Sequence, residues 1–241
     1  MNNKRISLIR AHQARPFIKT ARRLGAPVQK LAKQAGLPLA AVKSGEGVIG
    51  EPALWDFIDL VSQTRQCDLY GYYTALDHPV NQTGQLGDLY IVKGKSLKEI
   101  LDTFIKGVVH ESDNCKYRLL NRSGEIWFTR ELPWKHKAGW IAEQYVISFV
   151  IQIVRLCAPG DWLPSRIRIA SREKPVRLPA EWESVSIDWG WSRTEIRIEN
   201  ELLKFPPRFP PAQTCQRLPK FIWFYCPSFY QKHWSPCFNL R

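Results

Sequence analysis

The chain has 241 residues, 44% of them hydrophobic and 24% charged, with a formal net charge of +13. That length and apolar content suffice to bury a full core, either as one domain of about 200 residues or as two coupled subdomains. No apolar run approaches the roughly 18 residues of a membrane-crossing helix, the opening Met1-Asn-Asn-Lys-Arg-Ile6 lacks the apolar stretch of a signal peptide, and the six cysteines at 67, 115, 157, 215, 226 and 237 lie without close pairing, so a cytoplasmic protein with reduced thiols and no membrane partner is expected.

The charge is concentrated at the ends. From Met1 to Gly45 there are ten Lys/Arg and no acid, from Pro206 onward five and no acid, and the residues between carry 20 bases against 22 acids, a net of −2. In the first of these regions, Phe17, Ala21 and Leu24 recur at helical spacing, Gly25 ends that run, and Pro27 opens a second helix that continues through Ala35 until Gly36 stops it. A short helix follows around Leu39-Ala-Ala-Val42. Arg15, Lys19, Arg22, Arg23, Lys30 and Lys33 then form the solvated face of amphipathic helices, with a phosphate contact as the alternative.

Farther on, Val48-Ile-Gly50 leads into a helix over Glu51 to Gln66, whose Leu54, Trp55, Ile58, Val61 and Ser62 share one face, and Trp55 reads as a buried structural residue. Asp88-Leu-Tyr-Ile-Val-Lys93 has the pattern of a strand and runs into Gly94-Lys-Ser96. This is not a phosphate-binding loop, because the required glycine five residues before Gly94 is Leu89. Instead Ser96 and Glu99 form a capping box that opens a helix from Leu97 to Val109.

Lys116–Leu120 and Glu125–Thr129 read as strands joined by the turn Asn121-Arg-Ser-Gly124. A long helix is expected between Ala138 and Cys157, where Ile141, Tyr145, Phe149 and Ile153 repeat every four residues alongside Val146, Val150 and Leu156, a stripe wide enough to cover a sheet or a sister subunit. Ser165–Ala170 and Arg193–Ile198 alternate polar and apolar residues as half-buried strands do, and Val185-Ser-Ile187 is a shorter one. The expected fold class is α+β: an amino-terminal helical subdomain, then a mainly antiparallel sheet with one long helix packed across it.

Three stretches in this order resemble the amino-terminal effector-sensing and dimerisation domain, the arabinose-binding-like domain, of AraC/XylS-type transcription regulators. They are "ARRLGAPVQKLAKQAGLPLAAV", "LGDLYIVKGKSLKEILDTF" and "LPSRIRIAS … LPAEW … VSIDWG … RTEIRIENELLKFPPR". The resemblance covers about residues 15 to 207 and implies a sensor and dimerisation domain over 1–209, with a helical part near 15–110 and an α+β part near 115–205. It also implies a small-molecule effector, which it does not name, and a homodimer. In that family two helix-turn-helix motifs follow and read the promoter, so sequence-specific DNA binding by this chain alone is not expected. The alternative reading is a nucleic-acid-binding protein that uses the basic amino-terminal helices.

The sequence carries no Gly-x-Ser-x-Gly elbow, no His-Glu-x-x-His helix and no Gly-x-Gly-x-x-Gly turn, and His78, His110 and His136 have no partner nearby in sequence, so no enzyme, cofactor or catalytic residue is expected. Cys226, His233 and Cys237 lack close Cys-x-x-Cys spacing, so no metal is expected either. Aromatic residues gather in the second half as Trp127, Phe128, Trp134, Trp140, Tyr145 and Phe149. The candidate effector-binding residues are Trp127, Trp140, Glu143 and Tyr145, near the start of the long helix where it meets the hairpin.

The last 36 residues, 206–241, hold seven prolines, nine aromatics, three cysteines and no carboxylate, a composition foreign to linkers and to helix-turn-helix motifs alike. A reading frame lost after Phe209, with the DNA-reading half untranslated, accounts for the tail at 210–241. The alternative is an authentic cover over a hydrophobic surface.

Overall fold

The computed structural model describes residues 7–80, 94–131, 136–172, 175 and 177–208, which lie within one compact unit, Met1–Arg208. The strand expected at Asp88–Lys93, Trp134 and the tail at 210–241 fall outside the described residues.

The amino-terminal half is helical. Strand β1 (Leu8–Arg10) pairs antiparallel with β2 (Val48–Gly50), and helices α1 (Arg15–Arg23), α2 (Val28–Ala35) and α3 (Leu39–Ser44) lie between them in the chain. The two proline-and-glycine boundaries act as the sequence predicts. Pro27 and Pro38 precede α2 and α3, and Gly36 closes α2 in the left-handed conformation that only glycine adopts cheaply. Helix α4 (Glu51–Arg65) buries Leu54, Trp55, Phe57, Ile58 and Val61. Then comes α5 (Tyr70–Asp77), a helix the sequence reading did not anticipate. Its eight residues hold six buried ones, so it shows no polar face to give a period.

Helix α6 (Leu97–Val108) begins as a capping box in modified form. Ser96 Oγ accepts from the Glu99 amide at 3.3 Å, while the Glu99 carboxylate accepts from the Lys95 amide at 2.8 Å. Strands β3 (Lys116–Arg122) and β4 (Glu125–Glu131) form a hairpin whose two loop residues, Ser123 and Gly124, both have positive φ, as a type I′ turn requires. After helix α7 (Gly139–Arg155) come β5 (Arg166–Ile169), β6 (Ser186–Trp189) and β7 (Thr194–Ile198).

The sheet order is β3-β4-β7-β5-β6, antiparallel throughout except for the parallel β5–β6 pair at one edge. The registers Tyr117↔Arg130, Phe128↔Ile196 and Ile167↔Ile187 place those residues on one face. Helices α6 and α7 cover that face. Phe104 of α6 lies 6.0 Å from Phe128, Trp140 of α7 lies 5.2 Å from Trp189, and Glu143 of α7 pairs with Arg130. The fold is therefore α+β, as expected.

Helix α7 is buried on nearly every side, not along one stripe. Ala142, Gln144, Ile147, Val150, Ile151 and Val154 are all buried, because the sheet lies against one side of α7 and α5 and α4 pack against the others. Two glutamines on α7 hold α5 and the residues flanking it by their backbone. Gln144 accepts from the Tyr72 amide at 3.3 Å and donates to the Asp68 carbonyl at 2.6 Å, and Gln152 accepts from the Val80 amide at 3.0 Å and donates to the Ala75 carbonyl at 2.8 Å. The apolar stripe is thus covered by the chain itself and is not the surface on which a sister subunit would sit.

Candidate functional site

A cavity of about 110 Å³ lies at the junction of the helical half and the sheet. Two helices supply eight of its 18 lining residues at helical spacing: Glu51, Leu54, Trp55 and Ile58 from α4, and Ala142, Tyr145, Val146 and Phe149 from α7. Residues at i, i+3, i+4 and i+7 share one face, so each helix presents four neighbours to the same space. Ile9, Gln13 and Phe17 close it from the amino-terminal segment, Phe104 and Val108 from α6, and Tyr117 and Arg130 from the hairpin.

The aromatic wall is continuous. Phe17 and Tyr145 lie 4.8 Å apart, Tyr145 stacks on Phe149 at 6.0 Å, Phe149 lies 5.8 Å from Phe104, and Phe104 meets Tyr117 edge-on at 5.4 Å. Burial pushes the hydroxyls of Tyr117 and Tyr145 well above their ordinary pKa, so both stay protonated and able to donate.

Charged groups sit in this otherwise apolar space. Arg130, 5% exposed, donates through Nη1 to Glu143, 4% exposed. Burial opposes the charge on Arg130, but the Glu143 carboxylate beside it outweighs that and holds the guanidinium protonated above its ordinary range. Glu51, 2% exposed, accepts from the Ser7 hydroxyl. Glu111 accepts from Gln13 at 2.9 Å and pairs with His12 at 2.8 Å. Burial alone would raise the Glu111 pKa, but the bonds from His12 and Gln13 bring it below its ordinary value. Burial pushes the Cys115 thiol up, which makes it a poor nucleophile.

Of the four candidates drawn from the sequence, Tyr145 lines the cavity and Glu143 sits behind it as the partner of Arg130. Trp140 points to the far side of α7, into a cluster with Trp182 at 6.4 Å and Trp189 at 5.2 Å. Trp127 lies on the opposite face of the sheet, where the Arg168 guanidinium is held between its ring, at 4.0 Å, and that of Trp191, at 4.1 Å. Trp127 and Arg130, three residues apart on β4, point to opposite faces, so the candidate Trp127 turns away from the cavity while Arg130 turns toward it. The sequence reading missed Glu51, Glu111 and Arg130. The helical spacing of Leu54, Trp55 and Ile58 already marked the α4 face, and Glu51 stands one step earlier on it. Trp55 is buried, as the sequence predicts, and is also part of the wall.

Folding gives His136 a partner the sequence could not show, Asp56 at 3.2 Å. Among the described residues no group of three or more His, Cys, Asp or Glu could hold a metal ion, and no helix is long and apolar enough to cross a membrane.

No protein-family model matches the chain, and no curated protein matches it. A solved structure does: that of the transcriptional regulator CdpR from Pseudomonas aeruginosa, with a TM-score of 0.52 and 15% sequence identity over 63% of this chain and 50% of that one. The chain therefore spans half of that regulator's length, and the likeness is one of fold.

Proposed function

We propose that the chain contains the effector-sensing and dimerisation domain of an AraC/XylS-like transcriptional regulator, with the cavity between α4 and α7 as the effector site. The observation that carries this reading is the aromatic-walled cavity with buried charges along it, at the point where the helical half meets the sheet. Such a space, mostly apolar with a few polar groups to orient a guest, is what a small-molecule site requires. The order of sequence motifs and the fold shared with half of a transcriptional regulator support the same reading. A guest there would touch both halves at once, so its binding energy could bias their packing, and that is the physical requirement for sensing.

The test is a thermal-shift screen of small polar-apolar compounds on the full chain and on Ala142→Leu, which puts a larger side chain into the cavity. The reading expects compounds that raise the melting temperature of the wild type and leave the variant unmoved. Stabilisation that is equal in both would place the site elsewhere.

A nucleic-acid role for α1–α3 remains as a second reading, favoured by the exposure of Lys19, Arg22, Lys30, Lys33 and Lys43 on these helices. Two other cations of the same region are used internally: Arg15 donates to the Val42 and Lys43 carbonyls at the end of α3, and Arg23 pairs with Asp77.

A further inference from the structure

The polar groups on the cavity wall specify which chemistry the guest should carry. Glu51 accepts from the Ser7 hydroxyl, and no cation pairs with it among the described residues. A buried carboxyl group without a positive partner is costly, and a bound cation would relieve that cost. Glu111, on the same wall, adds a second carboxylate, tied to His12 and Gln13. Arg130 raises the opposite demand: its Nη1 is committed to Glu143, while its buried Nε has no hydrogen-bond partner among the described residues. No acceptor bonds that N–H among the described residues, and the second oxygen of Glu143 is likewise left unpaired.

The rings of Phe17, Trp55 and Tyr145 line the same space, and an aromatic ring attracts a cation that reaches its negative face. An anion would meet Glu51 and Glu111. A hydrocarbon would leave both Glu51 and the Arg130 Nε as they are. The volume sets the size: about 110 Å³ is somewhat less than the roughly 150 Å³ cavity that holds benzene, which limits the buried part of the guest to about six non-hydrogen atoms.

We infer that the effector is a small primary amine that also carries an oxygen acceptor, with its ammonium group on Glu51 and its oxygen on Arg130 Nε. This rests on the effector-site reading above and adds the ligand class to it.

The experiment is a calorimetric titration of the full chain with three probes of nearly one shape: isoamylamine, isoamyl alcohol, and valinol, which has both the amine and the oxygen. Valinol should bind tightest. Isoamylamine should bind about tenfold or more tighter than the alcohol, the gain typical of a buried charge-assisted hydrogen bond. Glu51→Gln should bring isoamylamine to the level of the alcohol without weakening the alcohol, and Ala142→Leu should weaken all three. If Glu51→Gln does not fold, the comparison of amine with alcohol on the wild type, with Ala142→Leu as the control, decides.

Equal binding of amine and alcohol, abolished by Ala142→Leu, would overturn the amine assignment and leave the effector site standing. So would failure of all three probes when other compounds from the screen bind and are blocked by Ala142→Leu. If no compound is blocked by Ala142→Leu, the site itself is overturned, and the amine with it. Amine binding unaffected by Glu51→Gln would overturn the role of Glu51.

Discussion

A guanidinium buried beside a single carboxylate is stable only while that carboxylate is present. Removing Glu143 leaves Arg130 charged and uncompensated, so Glu143→Ala is expected to cost about 3–5 kcal/mol, whereas the double change Arg130→Met with Glu143→Leu should come near the wild type. Urea denaturation of the wild type and the two variants checks this, and equal losses in the single and the double would contradict it. Gly71 gives a second residue-scale prediction. A Cβ there would lie 1.8 Å from the Ile141 carbonyl oxygen, so α5 sits against α7 only because the side chain is a hydrogen. Alanine is normally the better helix residue, yet Gly71→Ala should destabilise by about 1–3 kcal/mol through overpacking. A rise in melting temperature would show that α5 can move aside. Two carboxylates set the acid limit. Burial would raise both, but His12 and Gln13 hold Glu111, and Arg122 and Arg168 hold Glu195, below their ordinary values. A depressed carboxylate contributes stability that is complete above its unfolded pKa and lost as pH falls through the folded one. Stability should therefore fall below the ordinary carboxylate range, about pH 4, and Glu195→Gln should flatten that fall.

Elements differ in how openly the sequence announces them. Helices α1, α2, α4 and α6 carry an apolar face, a stop glycine or a capping serine, and the hairpin carries Ser123-Gly124, so each was legible from local chemistry alone. Helix α5 was not, because a helix buried on all sides has no periodicity to read. For the same reason α7 read as a one-sided stripe, although Gln144 and Ser148 between the apolar positions are buried too. The site was half legible. Tyr145 follows from the helical stripe, but whether Trp127 or Arg130 faces the cavity depends on strand register, which requires the partner strand. Exposed cations on α1–α3 support only non-specific contact with phosphate, so any DNA affinity should be weak and fall steeply with salt. Nanomolar, sequence-selective binding at physiological salt in an anisotropy titration would instead favour the nucleic-acid reading.

At the scale of the described unit, one face of the sheet joins the helices and the other is a charged surface. On that outer face Arg122, Arg168 and Arg193 converge on Glu195, Arg197 pairs with Glu125 and Arg166 with Asp188. The self-pairing proposed with the sensor reading cannot use the α7 stripe, which leaves exposed apolar residues such as Leu8, Val48, Val109, Trp191 and Phe205. Sedimentation of the full chain at rising concentration should show reversible dimerisation, and a strictly monomeric species at high micromolar concentration would count against it.

In the proposed function, a small molecule bound between α4 and α7 links the two halves. Amide hydrogen exchange of the full chain, with and without a compound that raises its melting temperature in the screen, tests this most directly. Added protection is expected in both walls of the cavity, in segments 51–58 and 142–149, and in the strand that carries Arg130. Protection confined to the outer face of the sheet, or to α1–α3 alone, would contradict it.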